Sequence, residues 1–181
     1  MGKYCIIRST DGLGMGLVDP MMPLYFYLRF GAGSERLAPI YALGRFLPIL
    51  TYFLIPLFVK KFGSVRGLIV SRIASGVIAV VFALTPDFQV AAIWFIVYRS
   101  FFEFSMPMRQ SFITEVSDPS QTGMMVGAGN SARSFVRSVA PTLAGYLFEF
   151  VSLAFPFFLG AAVLATNGVQ YYIFYGKTKT S

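Results

Sequence analysis

Apolar residues run through this chain in long blocks, each closed by a short polar or proline-containing break. Crossing the ~30 Å hydrocarbon core of a bilayer takes roughly 20 apolar residues. On that scale the blocks predict six membrane-crossing helices, over residues 4–28, 37–59, 67–85, 91–107, 122–148 and 151–175, in one transmembrane domain filling 1–181. The breaks are RFGAGSER at 29–36, KKFGSVR at 60–66, Pro86-Asp87, and the polar stretch 108–121. Pro20 and Pro23 are expected to break or kink the outer part of the first span, and Pro48 and Pro56 to bend the second.

The polar positions inside these blocks are few and patterned. The first span carries Arg8, Asp11 and Asp19, with Gly12, Gly14 and Gly16 between them. Asp11, Met15 and Asp19 fall on one helical face, and the glycines let another helix approach closely. Arg8 and Asp11, three residues apart, are expected to pair as a structural feature. Arg45 lies in the second span; Arg99 and Glu103 lie one turn apart on one face of the fourth. Asn130, Arg133, Arg137 and Pro141 follow one stripe of the fifth, which is rich in small residues. The third span is aliphatic apart from Arg72 near its start, and the sixth is apolar apart from Asn167 and Gln170.

A charge at bilayer depth costs several kcal/mol, roughly ~3 on insertion scales, unless it faces a partner or a wet cavity. The charged faces must therefore turn inward. Deep charge in spans 1, 2, 4 and 5, with none at mid-depth in 3 and 6, reads polar, polar, apolar, twice over. Two inverted three-helix repeats would give that order, with the third helix of each facing lipid.

Composition narrows the class. Of 181 residues 56% are hydrophobic and only 13% charged, and mean hydropathy is +0.66, which excludes an ordinary soluble domain. The net charge of +7 does not point to nucleic acid, because the basic residues form no single patch. They sort by side. Lys3, Arg8, Lys60, Lys61, Arg66, Arg109, Lys177 and Lys179 fall on one side, and Arg29 and Arg36 on the other. By the positive-inside rule both termini are cytoplasmic and the chain sits in the cell membrane. A single cysteine and no histidine exclude a disulfide framework, a Cys- or His-based metal site and histidine proton relays. There is no nucleophile beside a base, and GAGNSAR lacks the Gly-Lys-Ser/Thr ending of a phosphate loop. No enzyme chemistry, cofactor or metal is expected, and no cleavable signal opens the chain.

Four stretches resemble the major facilitator superfamily of transporters. LGMGLVDPMMPLYF is similar to the first helix of one of its halves. PLFVKKFGSVR sits where that family has a cytoplasmic motif, with Gly63, Lys61 and Arg66 fitting, Lys60 in place of its acid and Pro56 in place of its first glycine. Arg99, then Pro107 and TEVSDPSQTG, resembles its arginine-bearing helix and following loop. VAPTLAGYL, around Pro141 and Gly145, resembles its Gly-Pro-x-x-Gly-Gly element, with Ala140 and Ala144 for two glycines. The resemblance implies half of a twelve-helix carrier, more like the C-terminal half, built of two inverted three-helix units. Its first and second helices would line a cavity, and the 60–66 loop would gate the cytoplasmic side.

The expected function is alternating-access transport of a small solute, coupled to an ion or proton. The alternative is a non-transporting membrane scaffold that needs the charges only as internal glue. Candidates for the substrate or coupling ion are Asp19, Arg45, Arg99, Glu103, Asn130, Arg133 and Arg137. Glu103, Asp19 and Asp11 are the candidate partners of the two span-5 arginines. Lys60, Lys61, Gly63 and Arg66 form the candidate gate, and Gly123, Gly127, Pro141 and Gly145 serve packing or a hinge. The excess of mid-depth arginine over acid favours an anionic solute. The implied partners are the lipid bilayer, that solute, and a second six-helix half from the same chain, a separate chain or another copy.

Overall fold

The computed structural model describes residues 2–51, 53, 57, 59, 60, 63–118 and 120–176, and their regular structure is entirely α-helical. Pro56, Lys61, Pro119, Lys177 and Lys179 lie outside the described residues. The first predicted span is two helices, α1 (Gly2–Val18) and α2 (Met21–Phe30). They part at Asp19 and Pro20, where proline supplies no N–H to continue the ladder. α2 stops at Gly31, whose left-handed backbone (φ 61°) turns its N–H back to cap the last turn. α3 (Ser34–Thr51) runs through Pro39 and Pro48. α4 (Ser64–Leu84) follows Gly63, whose φ of 81° favours glycine.

α5 (Phe88–Val116) starts at Asp87, whose side chain accepts a hydrogen bond from the Val90 N–H at 3.0 Å. It corrects one expectation. The fourth span was to end at Pro107, yet the helix continues through that proline to Val116. Arg109 is therefore a buried helical residue and not part of a polar loop. α6 (Thr122–Phe150) contains Pro141, and α7 (Phe155–Tyr175) completes the described helices.

α1 packs on α6 and α7, α4 on α5 and α7, and α3 on α5. Exchanging α1 with α5, α3 with α6 and α4 with α7 returns this same set of pairs. The close approaches are set by glycine. A Cβ at Gly12 would run into the backbone carbonyl oxygen of Arg133, and one at Gly16 would lie 3.1 Å from that of Arg137. Gly12 and Gly16 thus seat α6 backbone against backbone, while Gly14 faces Leu164 of α7.

Two apolar clusters close the ends of the bundle. Tyr25, Phe26, Phe82, Phe95 and Phe157 form part of one, where Tyr25 also donates its hydroxyl to the Ala83 carbonyl at 2.7 Å. Tyr4, Ile7, Leu68, Met108, Phe112 and Tyr171 belong to the other. Among the described residues α4 and α7 are the helices long and apolar enough to cross a membrane on length and composition alone.

α4 and α7 are the third and sixth predicted spans, the pair expected to face lipid. They turn Val70, Ile73, Val77, Val169 and Ile173 outward but bury their other sides on α1, α5 and each other. α3 and α6 are the more exposed pair, with Phe46, Phe135, Val139 and Tyr146 uncovered. Each packs chiefly on a single neighbour, so one side of each is left free.

Candidate functional site

The charges collect in two layers along α1. The inner layer centres on Asp11, which is 1% exposed. Its Oδ2 accepts from Arg8 Nη1 at 3.0 Å, Arg109 Nη1 at 3.3 Å and Arg133 Nε at 3.0 Å. Arg72 Nη2 stands 2.9 Å from Oδ1 as an ion-pair contact, without the alignment of a hydrogen bond. Arg72 is fully buried and also reaches Ser105 Oγ at 3.4 Å, while Arg8 Nη2 donates to Asn130 Oδ1 at 2.7 Å. Four helices (α1, α4, α5 and α6) thus meet on one carboxylate.

The outer layer centres on Asp19, at the break after α1. Arg137 Nη2 donates to its Oδ2 at 3.2 Å, and Arg99 Nη1 lies 3.9 Å from the same atom. Arg99 also donates to Glu103 Oε1 at 3.1 Å, both side chains being about a fifth exposed. Arg45, Pro48, Ile49, Arg99 and Glu103 line a cavity of about 360 Å³. Between the layers, buried Tyr98 donates its hydroxyl to Met15 Sδ at 3.7 Å, closing the shared face of α1. Asp11 and Asp19 are eight residues apart, about 12 Å along a helix of 1.5 Å rise per residue.

The candidate residues therefore divide. Asp19, Arg45, Arg99, Glu103 and Arg137 gather around or beside the cavity. Asn130 and Arg133 go instead to Asp11. The two span-5 arginines each find an acid of the first predicted span, Asp19 for Arg137 and Asp11 for Arg133. Lys60 and Arg66 are exposed, and Gly63 precedes the first turn of α4. A Cβ at Gly123, Gly127 or Gly145 would meet no atom within 4 Å, so these glycines make no close helix contact within the described chain.

Sequence reasoning missed Arg72 and Arg109 as members of the inner layer and read Asp11 as the partner of Arg8 and one candidate acid for the span-5 arginines, which Arg133 meets. Arg72 belongs to the third span, which was to carry no deep charge. Its one-helix view gave no sign that Gly168 of α7 and Asp11 of α1 would enclose it. For Arg109 the signal was available: nine residues after Pro107 keep helical character, and membrane helices tolerate internal proline.

This arrangement, ionised side chains turned inward from apolar helices, is what the comparison with known families explains. Residues 4–181 match the model of the Major Facilitator Superfamily. The chain belongs to that superfamily. Members of that superfamily are membrane transporters. An uncharacterized membrane protein of Saccharomyces cerevisiae is 22% identical over 147 residues, which is 80% of this chain and 33% of that protein. The chain thus spans about a third of the length of the curated relative it matches. For a superfamily member the outer layer is the candidate transport site, because its charges border a cavity, and the inner layer is a buried junction.

Proposed function

We propose that this chain is a six-helix half of a secondary carrier that moves a small anionic solute across the cell membrane by alternating access. The supporting observation is the partly exposed outer layer: Arg45, Arg99 and Glu103 border one cavity, and Asp19 and Arg137 stand behind it. Three arginines against two acids leave that layer with a positive excess, which suits a carboxylate or phosphate ester. Glu103 is the coupling acid, held by Arg99 when empty and released when the pair separates. The exchange symmetry of the helix contacts supports two inverted three-helix units, and the free faces of α3 and α6 suit a second half. The basic 60–66 loop gates the cytoplasmic side, with both termini there.

The scaffold reading draws on the same ion pairs, since every charge of the inner layer is already held by another. Flux separates the two. In proteoliposomes holding this chain with its second half, small carboxylates and phosphate esters should be taken up and should compete with one another. Glu103→Gln should abolish uptake driven by a proton gradient while keeping solute exchange. No flux of any solute supports the scaffold; inhibition by cations alone overturns the anionic substrate.

A further inference from the structure

The inner layer holds more positive charge than its one acid can balance. Four guanidiniums face a single carboxylate, and Arg8, Asp11, Arg72 and Arg109 are each no more than 6% exposed. Arginine does not relieve such an excess by losing a proton. Taking an uncompensated ion out of water costs several kcal/mol. The chain has no acid to spare for it. Asp19 and Glu103 are engaged in the outer layer, Glu115 accepts from Ser64 Oγ at 2.9 Å, and Glu35, Asp87, Asp118 and Glu149 are exposed.

The donors tell the same story. Arg8 Nε, Arg72 Nε, Arg72 Nη1 and Arg133 Nη2 are buried and have no hydrogen-bond partner among the described residues. Guanidinium N–H groups match the oxygens of carboxylate and phosphate in shape and charge. One side of the layer is open: the Arg133 side chain is 13% exposed, and Asn130 beside it on α6 is exposed.

We infer that the Asp11 layer is a binding site for one oxyanion of the phosphate class, reached past Asn130 and Arg133 and distinct from the cavity beside Arg99. The anion sits against Arg72, Arg8 and Arg133 and completes the charge balance that Asp11 begins. It is a resident of the fold and not the transported solute, because Met15 and Tyr98 separate it from the outer layer. The inference stands on the charge count and does not depend on the carrier reading. A free phosphate and the headgroup of an anionic lipid present the same chemistry.

The test is thermal unfolding of the full chain in lipid nanodiscs. In phosphatidylcholine discs, inorganic phosphate replaces chloride at constant ionic strength; in a second arm, phosphatidylglycerol discs are used without phosphate. A saturable rise in Tm with phosphate identifies a free oxyanion. A rise in the phosphatidylglycerol discs alone identifies a headgroup. Arg133→Gln should weaken the response at least tenfold in midpoint concentration, in keeping with a lost charge-assisted hydrogen bond. Arg133→Lys, which keeps the charge, serves if that variant does not fold. Arg36→Gln, at an exposed basic residue outside both layers, should leave the response unchanged. No rise in either arm overturns the inference, as does a rise that the Arg133 variants leave intact. A carboxylate from another segment filling the layer would give the first of those results.

Discussion

At the scale of single residues, Asp11 is the position on which most depends. It is the one acid within α1, yet it holds arginines from four helices. A buried ion pair adds little net stability when it forms, but removing one member strands the other, at about 3–5 kcal/mol. Asp11→Asn keeps the shape of the side chain and removes the charge, so it should cost at least that much. The expected outcome is a large fall in Tm and a loss of monodisperse protein in detergent. Asp19→Asn, which strands partly exposed arginines, should cost less. Equal effects would mean that the inner layer carries no special weight. The i, i+3 spacing made the Arg8–Asp11 pair legible in the sequence. Arg133 was legible as a charge in need of an acid, with Asp11 among the candidates; Arg72 and Arg109 were not, because spacing along one helix says nothing about rotation across a bundle.

At the scale of elements, helix existence was readable from apolar block length and the helix starts to within a few residues, whereas α5 runs nine residues past its expected end at Pro107. Proline misled at Pro107. Asp19-Pro20 breaks the first span as expected and Pro141 lies inside a helix as expected, whereas Pro107, read as the end of the fourth span, passes inside a continuous helix. Pro107 leaves the Glu103 carbonyl without its usual donor, a gap that membrane helices tolerate where neighbouring helices and side chains support the backbone. Glycine was legible as a means of close approach but not as to which glycines would use it. Gly12 and Gly16 bring the α6 backbone into contact, while Gly127 touches nothing within 4 Å. Gly12→Ala should therefore push α1 and α6 apart and cost about 1–3 kcal/mol, the range for overpacking a close interface. It should also lengthen the Arg133–Asp11 contact. Gly127→Ala should leave the Tm of the same chain unchanged or slightly raised, since alanine is the better helix former. Thermal unfolding of the two variants side by side checks this, and a Gly12→Ala protein as stable as the parent would refute it.

At the scale of the whole molecule, the six-span reading of the sequence rested on block length, and the helices differ in how far composition alone supports it. α4 and α7 meet the membrane criterion without help, while α1, α5 and α6 carry the charges that lower their hydropathy. Those same charges give the bundle two unlike sides. The α3 side, with Arg45 and the cavity, should be wet; the outer side of α4, with Val70, Ile73 and Val77, should face acyl chains. The single cysteine makes this testable without a known substrate. In a Cys5→Ser background, Ile49→Cys and Val77→Cys introduce thiols at exposed side chains, 49% and 58% accessible, both near the middle of their predicted spans. A hydrophilic, charged maleimide added to membranes reacts only with thiolate in water. Ile49→Cys should label and Val77→Cys should not, although the second is the more accessible in the bare protein. Protection of both positions would mean that the cavity is dry and that the charges of the outer layer serve only each other, and labelling of both would mean that α4 does not border lipid.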